Sequence, residues 1–460
     1  MGHTLLKLKG VNRQGIEVEH AISFFTRMDD VDPVTLLFQS FVTGKKGYYT
    51  LSPYHESISY YIFNEGRNVW EFEIKMTEFQ KELLRLHLYE LKTIEMNYFF
   101  HVFNCATVLR DILSVANPSI HEAGHLWVTP LDLVRTLDQS DSIQSRRLAY
   151  TNQWLIKELV RQENFSSESL LKIPSRDERF SPVSSLEQNA LLYKRYRLTK
   201  AFVGYEFEEK KISRDQWSSA DQALDHYYAP LNQQFSLNYS NIEGPENTIP
   251  DTQVGLGYLN YGGQNRVLFS LLPISHTLTN DLTGYSYESE VKLGAVQFFL
   301  GEDSQLRLHR FDIFSVKDLQ PSDPITGGLS GQFGIGYAPY FGSGGQLRSQ
   351  EYLEGLLGPT WRPQADVDLY FHLGGRYLNR EIKPVSAVME TGILLRLIWK
   401  MKFIASYAVQ TQFDGQNIET FQAQHAFNFK GYSLQTSWRQ DRSASGPVEN
   451  QTQILLQKLF

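Results

Sequence analysis

The sequence predicts a two-part molecule: an α+β first half followed by an all-β antiparallel barrel. Three observations predict it. Residues 1–230 mix strand-like runs with well-signalled helices, whereas residues 231–460 are almost purely strand-like. Alternation of period 2 over about ten residues recurs about eleven times in the second half, each run bounded by Gly, Pro, Asn or Asp. Aromatic residues make up 13% of the chain, with 25 Tyr and 29 Phe, a richness usual for β surfaces and membrane-interface girdles.

In the first half, Thr4–Lys9, Glu17–Phe25 and Val69–Ile74 read as strands. A helix is expected over Thr77–Lys92, because Thr77 and Gln80 form a capping box ahead of apolar residues at helical spacing. Tyr98-Phe99-Phe100 opens an aromatic extended run. Asn104 then stands before a second helix, Cys105–Val115, which Pro118 ends. Thr129-Pro130 opens a third, with Thr as N-cap and Pro at the first helical position. Further helices are expected over Ser145–Arg161, Leu186–Phe202 and Ser219–Tyr228.

The second half is expected to place strands at Gln253–Tyr261, Arg266–Ile274, Tyr287–Leu300, Gln305–Val316, Gly331–Tyr340 and Val367–Leu378. The series continues with Val385–Trp399, Lys402–Phe413, Thr420–Lys430, Tyr432–Arg439 and Gln451–Phe460. In Thr420–Lys430, Phe421, Ala423, Phe427 and Phe429 share one face with His425, and Gln422, Gln424 and Asn428 share the other. One polar and one apolar wall fit an outer-membrane barrel; a soluble β-barrel or sandwich packed on the first half would alternate in the same way. The division expected is 1–137, a Cys/His domain; 138–230, a helical support; and 231–460, the barrel. Because Gly2-His3-Thr4 enters a strand at once, the sequence reads as if it begins inside a domain.

Composition removes several classes. With 42% apolar and 21% charged residues the chain is not disordered. A net charge of −7 with no basic block argues against a nucleic-acid partner. One cysteine allows neither an intramolecular disulfide nor a Cys-based zinc cage.

That cysteine, Cys105, is the leading candidate for chemistry. At a helix start, partial positive charge biases a thiol towards thiolate, the nucleophilic form. It needs a base that titrates near neutrality, and His3 at the head of a strand is the first choice. A strand-borne His facing a helix-borne Cys is a papain-like arrangement. Here the His comes first, 105 − 3 = 102 positions earlier, which makes it the permuted, NlpC-type order. A third group should orient the imidazole; the neighbouring strand offers Glu19 and His20, with His20 preferred. Asn104 can cap the helix or donate to an oxyanion, but not both. Tyr98, Phe99 and Phe100 are candidates for lining an acyl groove, with core packing as the alternative.

A rival motif is His121-Glu122-Ala123-Gly124-His125, the H-E-x-x-H pattern of zinc hydrolases. It lies between Pro118 and Pro130 with Gly124 inside it and no apolar periodicity around it. That leaves little room for the helix that would align both histidines, so no metal site or cofactor is expected.

Several boxes resemble one family in the same order. Gly2-His3-Thr4-Leu5-Leu6-Lys7-Leu8 is similar to the "FGHTFLRL" box of the Lnb-like bacterial lipoprotein N-acyltransferases, and Ala21-Ile22-Ser23-Phe24 to its "AVNF" strand. Glu65-Gly66-Arg67-Asn68-Val69-Trp70-Glu71-Phe72, preceded by Tyr54 and Tyr60, resembles "PYY…EY…E-x-RDIWEY". His87-Leu88-Tyr89-Glu90-Leu91 resembles "HLWEL", and Tyr98-Phe99-Phe100 with Asn104-Cys105 resembles "YYFFDENCS". Val128-Thr129-Pro130-Leu131-Asp132 resembles "VIPxD". Asn68 departs from the family Asp, and Val102-Phe103 from its acidic pair. The resemblance implies Cys105 as nucleophile and His3 as base. It also implies phospholipid and lipoprotein substrates, acyl transfer through a thioester, and a place in the bacterial envelope. A Cys/His peptidase, amidase or thioesterase, and a non-enzymatic barrel, are the other readings.

Overall fold

The computed structural model describes all residues except 1, 27–34, 36–38, 40–42, 92–93, 100–101, 121–126, 176–177, 179, 182–184, 240–241, 302–303, 342–346, 380–383, 413–416 and 444–447. The H-E-x-x-H motif and Phe100 lie outside the described residues.

The N-terminal part is built on an antiparallel sheet of β1 (Leu5–Val11), β2 (Glu17–Thr26), β3 (Lys45–Pro53) and β5 (Asn97–Tyr98), in that order. β4 (Val69–Ile74) pairs instead with β6 (Ile143–Ala149). This corrects the helix expected from Ser145: the pairing takes residues 143–149, and the helix starts only at Asn152, where Thr151 Oγ1 accepts the Trp154 amide. The Glu78–Glu90 helix begins at the capping box of Thr77 and Gln80.

The Cys105–Ala116 helix is covered on two sides. Val108 and Ile112 pack with Phe24 and Leu84 of the sheet side. Ala106 and Leu113 pack with Ile120, Val128, Leu133 and Leu137. The Cys105–Ala116 helix is apolar enough round its circumference to be sandwiched in this way, which fixes its first turn.

A helical layer follows. The Asn152–Glu163 and Leu186–Glu208 helices meet through Leu155, Ile156, Leu159, Leu198 and Ala201. Leu186–Glu208 also packs on Arg214–Tyr227 and Ala229–Gln234 through Tyr196, Leu224 and Leu231.

The second half closes into a barrel of twelve antiparallel strands. They are β7 (Gln253–Tyr261), β8 (Gln264–Leu272) continued by β9 (Ile274–His276), β10 (Ser289–Leu300), β11 (Leu306–Asp318), β12 (Ser330–Phe341), and β13 (Leu347–Gly358) continued by β14 (Thr360–Gln364). The circuit is completed by β15 (Val367–Leu378), β16 (Val385–Arg396), β17 (Met401–Gln412), β18 (Asn417–Phe429), β19 (Tyr432–Ser443) and β20 (Val448–Leu459). β20 pairs with β7, and β10 bridges β8 and β11, so no edge is left open. The two split strands break at Pro273 and Pro359, residues with no N–H to give the ladder. Register runs unbroken across each break on the neighbouring strand.

Eleven of the twelve strands fall where the alternation places them. The twelfth, β13, shows apolar residues on both faces. Tyr352 and Leu356 are buried, Leu353 and Leu357 are exposed, and Glu351 sits on the outer side.

The barrel is apolar outside and polar inside. Leu256, Phe269, Phe333, Leu373, Phe421, Phe427, Trp438 and Ile454 are among the outward side chains. Two aromatic groups mark the ends of this belt. Tyr407 opposite Phe421, with Trp438 beside it, lies towards one end. Phe427, Phe429 and Tyr432 stack at the other. Phe421 and Phe429 are eight residues apart, about 26 Å along the strand, comparable to the apolar band of an outer-membrane barrel.

The lumen holds ion pairs: Lys317 with Glu390 (2.5 Å), Arg376 with Glu354 (2.8 Å), Lys402 with Glu288 (2.6 Å) and Arg439 with Asp441 (2.7 Å). Residues 277–288 fold into one mouth. Leu278 packs with Tyr370, Leu394 and Ile404, Asn428 Nδ2 donates to Thr279 O (2.9 Å), and Lys400 meets Asp281 (2.7 Å).

That mouth carries the first half. Lys157 Nζ, on the Asn152–Glu163 helix, donates to Pro321 O, Asp323 Oδ2 and Gly327 O (2.8–3.0 Å), all in the β11–β12 connection. Arg135 pairs with Asp132 in its own helix and donates to Thr248 Oγ1 (3.0 Å) and Ile249 O (2.8 Å), just before β7.

Candidate functional site

Cys105 occupies the first position of its helix, and Asn104 holds that helix end. Asn104 Oδ1 accepts from the Ala106 and Thr107 amides (2.8 and 3.0 Å), and its amide donates to Thr107 Oγ1 (2.8 Å). Asn104 Nδ2 donates to Val128 O (2.9 Å), tying the helix start to the segment that leads into the Pro130–Gln139 helix. The side chain is therefore committed to capping and positioning. The oxyanion role considered for it from sequence does not fit these bonds.

His3 sits in the extended chain leading into β1, close enough for its imidazole to act on the Cys105 thiol by hydrogen bonding and charge. The thiol is 6% exposed. Burial pushes its pKa up. The bond to His3, the charge His3 carries when protonated, and the Thr4 amide and hydroxyl together outweigh burial, so the thiol is held below the ordinary 9.0. Burial disfavours the thiolate and donors favour it; here the donors win.

His20 is not brought to this pair. β1–β2 register places it opposite Leu8, while His3 lies beyond the Leu5–Ser23 pair at the other end of β1. Five residues of strand separate His3 from Leu8, about 16 Å. Glu19 is opposite Lys9 and its carboxylate pairs with Lys7 (3.1 Å). Lys7 in turn lies 4.0 Å over the Tyr54 ring, whose hydroxyl donates to Glu71 (2.8 Å). This network occupies Glu19 and Glu71 away from His3.

Two of the candidate groove aromatics, Tyr98 and Phe99, are packed. Tyr98 lies 5.7 Å from Phe24 in the sheet–helix core; burial first, then nearby Cys105, raises its pKa. Phe99 is closed into a tight turn by reciprocal backbone bonds with Phe103 (3.0 and 3.1 Å). Its ring lies over Gly44, where a Cβ would come within 2.6 Å of it; at φ +73 only glycine fits there easily.

A cleft of about 460 Å³ opens above His3. Ser23, Phe25, Thr50 and Ser52 of β2 and β3 form one side; Tyr60, Tyr61, Glu65 and Arg67 form the other. Phe25 and Tyr60 keep exposed apolar surface at its rim, with exposed Leu51 and Phe63 nearby in the same segments. The Tyr60–Asn64 turn is a π-helix, an unusual geometry that is frequent at functional sites. Tyr61 lies on this turn, with its ring centroid 6.1 Å from that of His3. Its pKa rises to about 12 through burial, then Glu65, then Cys105. Sequence reasoning did not single out Tyr61. The one available signal was its place in the aromatic run between two boxes already noted.

Among the described residues no group of three or more His, Cys, Asp or Glu is arranged to hold a metal ion. Asn68, where the related box has Asp, accepts the Thr151 amide (2.9 Å) and so serves the next helix.

Residues 1–140 match the family described as "Lnb N-terminal periplasmic domain". Residues 244–456 match a domain of unknown function, DUF7840. No curated protein matches the chain. Among solved structures the chain is similar to the KdgM porin, with 6% identity, 45% of this chain and 99% of that one covered, and TM-score 0.29. It is also similar to an outer membrane channel from Pseudomonas putida F1 (10% identity, 49% and 100% covered, TM-score 0.29). A third is an anion-selective porin from Comamonas acidovorans (12% identity, 46% and 98% covered, TM-score 0.20). Those scores add no argument to the strand pairing itself. Residues 1–140 are thus similar to the Lnb periplasmic domain and stand on an outer-membrane-type barrel, which places the chain in the cell envelope, at the periplasm and outer membrane.

Proposed function

We propose that the chain is a cysteine acyltransferase that N-acylates lipoproteins from a phospholipid donor. The observation that carries this reading is His3 set against the buried Cys105 thiol, whose pKa is lowered, with His3 lining an open cleft that has apolar side chains at its rim. The match of residues 1–140 to the Lnb periplasmic domain supports it.

In the first half-reaction the Cys105 thiolate attacks the acyl ester carbonyl. The S–C bond forms, the ester C–O bond breaks, and His3 gives its proton to the departing alkoxide. In the second, the α-amine of a lipoprotein N-terminal cysteine attacks the thioester. The N–C bond forms, the thiolate leaves, and His3 takes the proton from the amine. The Cys105 amide lies outside the Asn104 cap and is placed to donate to the oxyanion of each step.

Intact-mass spectrometry after incubation with phospholipid vesicles tests this. Wild type gains a fatty-acyl mass that hydroxylamine removes, and Cys105→Ser and His3→Ala gain none. The pH profile of iodoacetamide alkylation gives a second readout: the wild-type midpoint falls below the usual thiol range, and His3→Ala moves it up. A wild-type thiol that is slow with iodoacetamide and takes no acyl group overturns the reading.

A further inference from the structure

Acyl transfer needs the carbonyl oxygen to be held as negative charge builds on it, and one backbone amide is seldom sufficient. Asn104 serves as the helix cap, with its oxygen accepting two amides and one of its N–H groups donating to Val128 O. The remaining walls of the cleft hold few neutral donors. Ser23, Thr50 and Ser52 line it from β2 and β3, and Ser52 Oγ is within 2.9 Å of Ser57 Oγ. Glu56 and Glu65 would repel an oxyanion, and Arg67 is drawn to Glu65 (3.2 Å).

Tyr61 differs from all of these. Its ring stands beside His3 in the cleft wall, and its hydroxyl has no hydrogen-bond partner among the described residues. Burial first, then Glu65 and Cys105, raises its pKa to about 12, so the hydroxyl keeps its proton and stays a neutral donor. Its backbone is fixed by the π-turn: the Glu65 amide donates to Tyr60 O (3.2 Å) and the Arg67 amide to Tyr61 O (2.9 Å). A donor on a turn braced in this way is preorganised, the property that makes such groups effective.

We infer that the Tyr61 hydroxyl is the second oxyanion donor of the site, acting with the Cys105 amide on the opposite side of the acyl carbonyl. The inference rests on the acyl-transfer reading above and deepens it. Tyr61 moves no proton; it donates a hydrogen bond to the carbonyl oxygen while the S–C bond forms and the leaving-group C–O bond breaks.

The test compares two electrophiles on Tyr61→Phe, which removes one oxygen and keeps the ring against His3. Iodoacetamide alkylates the thiolate at a tetrahedral carbon and creates no oxyanion. A p-nitrophenyl acyl ester transfers its acyl group to Cys105, releases p-nitrophenolate, and passes through one. Tyr61→Phe is expected to lower the acylation rate by about 10²–10³-fold, the usual cost of one such donor. Its alkylation rate and alkylation pH profile stay as in wild type. Equal acylation of both proteins overturns the inference. So does a parallel fall in both reactions, which would mean that Tyr61 only supports the fold or the thiolate. If wild type takes the p-nitrophenyl acyl group but none from phospholipid, the substrate assignment falls while the Tyr61 comparison still stands or fails by its own rates.

Discussion

The two halves of this molecule bury opposite things. The Cys105–Ala116 helix hides Val108, Ile112 and Leu113 and turns little polar surface inward. The barrel exposes Leu256, Phe333 and Leu373 and encloses Lys317, Glu390, Arg376 and Lys402. Both follow one rule, because the hydrophobic effect concerns transfer from water and the barrel's outer solvent is hydrocarbon. An exposed leucine is therefore ordinary on one half and structural on the other. A charge pair is marginal on one surface and decisive inside the other's lumen.

The sharpest way to break this contrast is to unpair a lumen charge. Glu390→Gln leaves the buried Lys317 ammonium with neutral partners only, the introduced amide and the Tyr370 hydroxyl. A loss of about 3–5 kcal/mol of barrel stability is expected, read from urea unfolding in lipid vesicles. Glu82→Gln, which breaks the exposed pair with Arg85 on the Glu78–Glu90 helix, should leave the unfolding midpoint unchanged in the same assay. If the two variants unfold alike, the lumen is as wet as the surface.

Next comes the outer face. Leu373 of β15 is 52% exposed and Leu86 of the Glu78–Glu90 helix is 49% exposed. Leu373→Arg should cost about 2–4 kcal/mol of barrel stability if it lies near the bilayer midplane. Leu86→Arg should stay within about 0.5 kcal/mol. Equal costs would mean that the belt of β15 does not meet lipid.

The smallest effect concerns the hinge between fold and chemistry. Asn104→Ala removes the cap on the Cys105 helix and should lower stability of the N-terminal domain by about 1–2 kcal/mol. Cys105 alkylation should slow with it, because the first turn that presents the sulfur frays. Unchanged alkylation would show that packing of Val108 and Leu113 alone places the thiol.

Much of the architecture was legible beforehand. Helix starts at Thr77, Asn104 and Thr129 follow from side-chain oxygens that cap locally, an interaction spanning three residues. Barrel strands follow from alternation, which needs no knowledge of partners. β13 escaped because Tyr352 and Leu356 make its lumen face as apolar as its lipid face. Counting could have found it: neighbours in a closed antiparallel barrel alternate in direction, so eleven strands cannot close and twelve can. The Tyr60–Asn64 π-turn left no local mark, since π geometry has no sequence pattern of its own, and Tyr61 showed only as one aromatic in the run between two boxes.

By itself the sequence determined the class of each half, the position of the thiol at a helix start, and which residue types could serve it. Tertiary structure decided which of them do. Residues 3 and 105 meet because β1 and the helix share a core through Leu6, Val108 and Phe24. His20 is carried about 16 Å away by one strand register, and Asn104 is spent on its own helix. Only the fold turned residues 277–288 into the barrel mouth and set the Lnb-like domain over it. Local signals reach about one helical turn, whereas a site is made of contacts across a hundred residues, and those are set by register and packing.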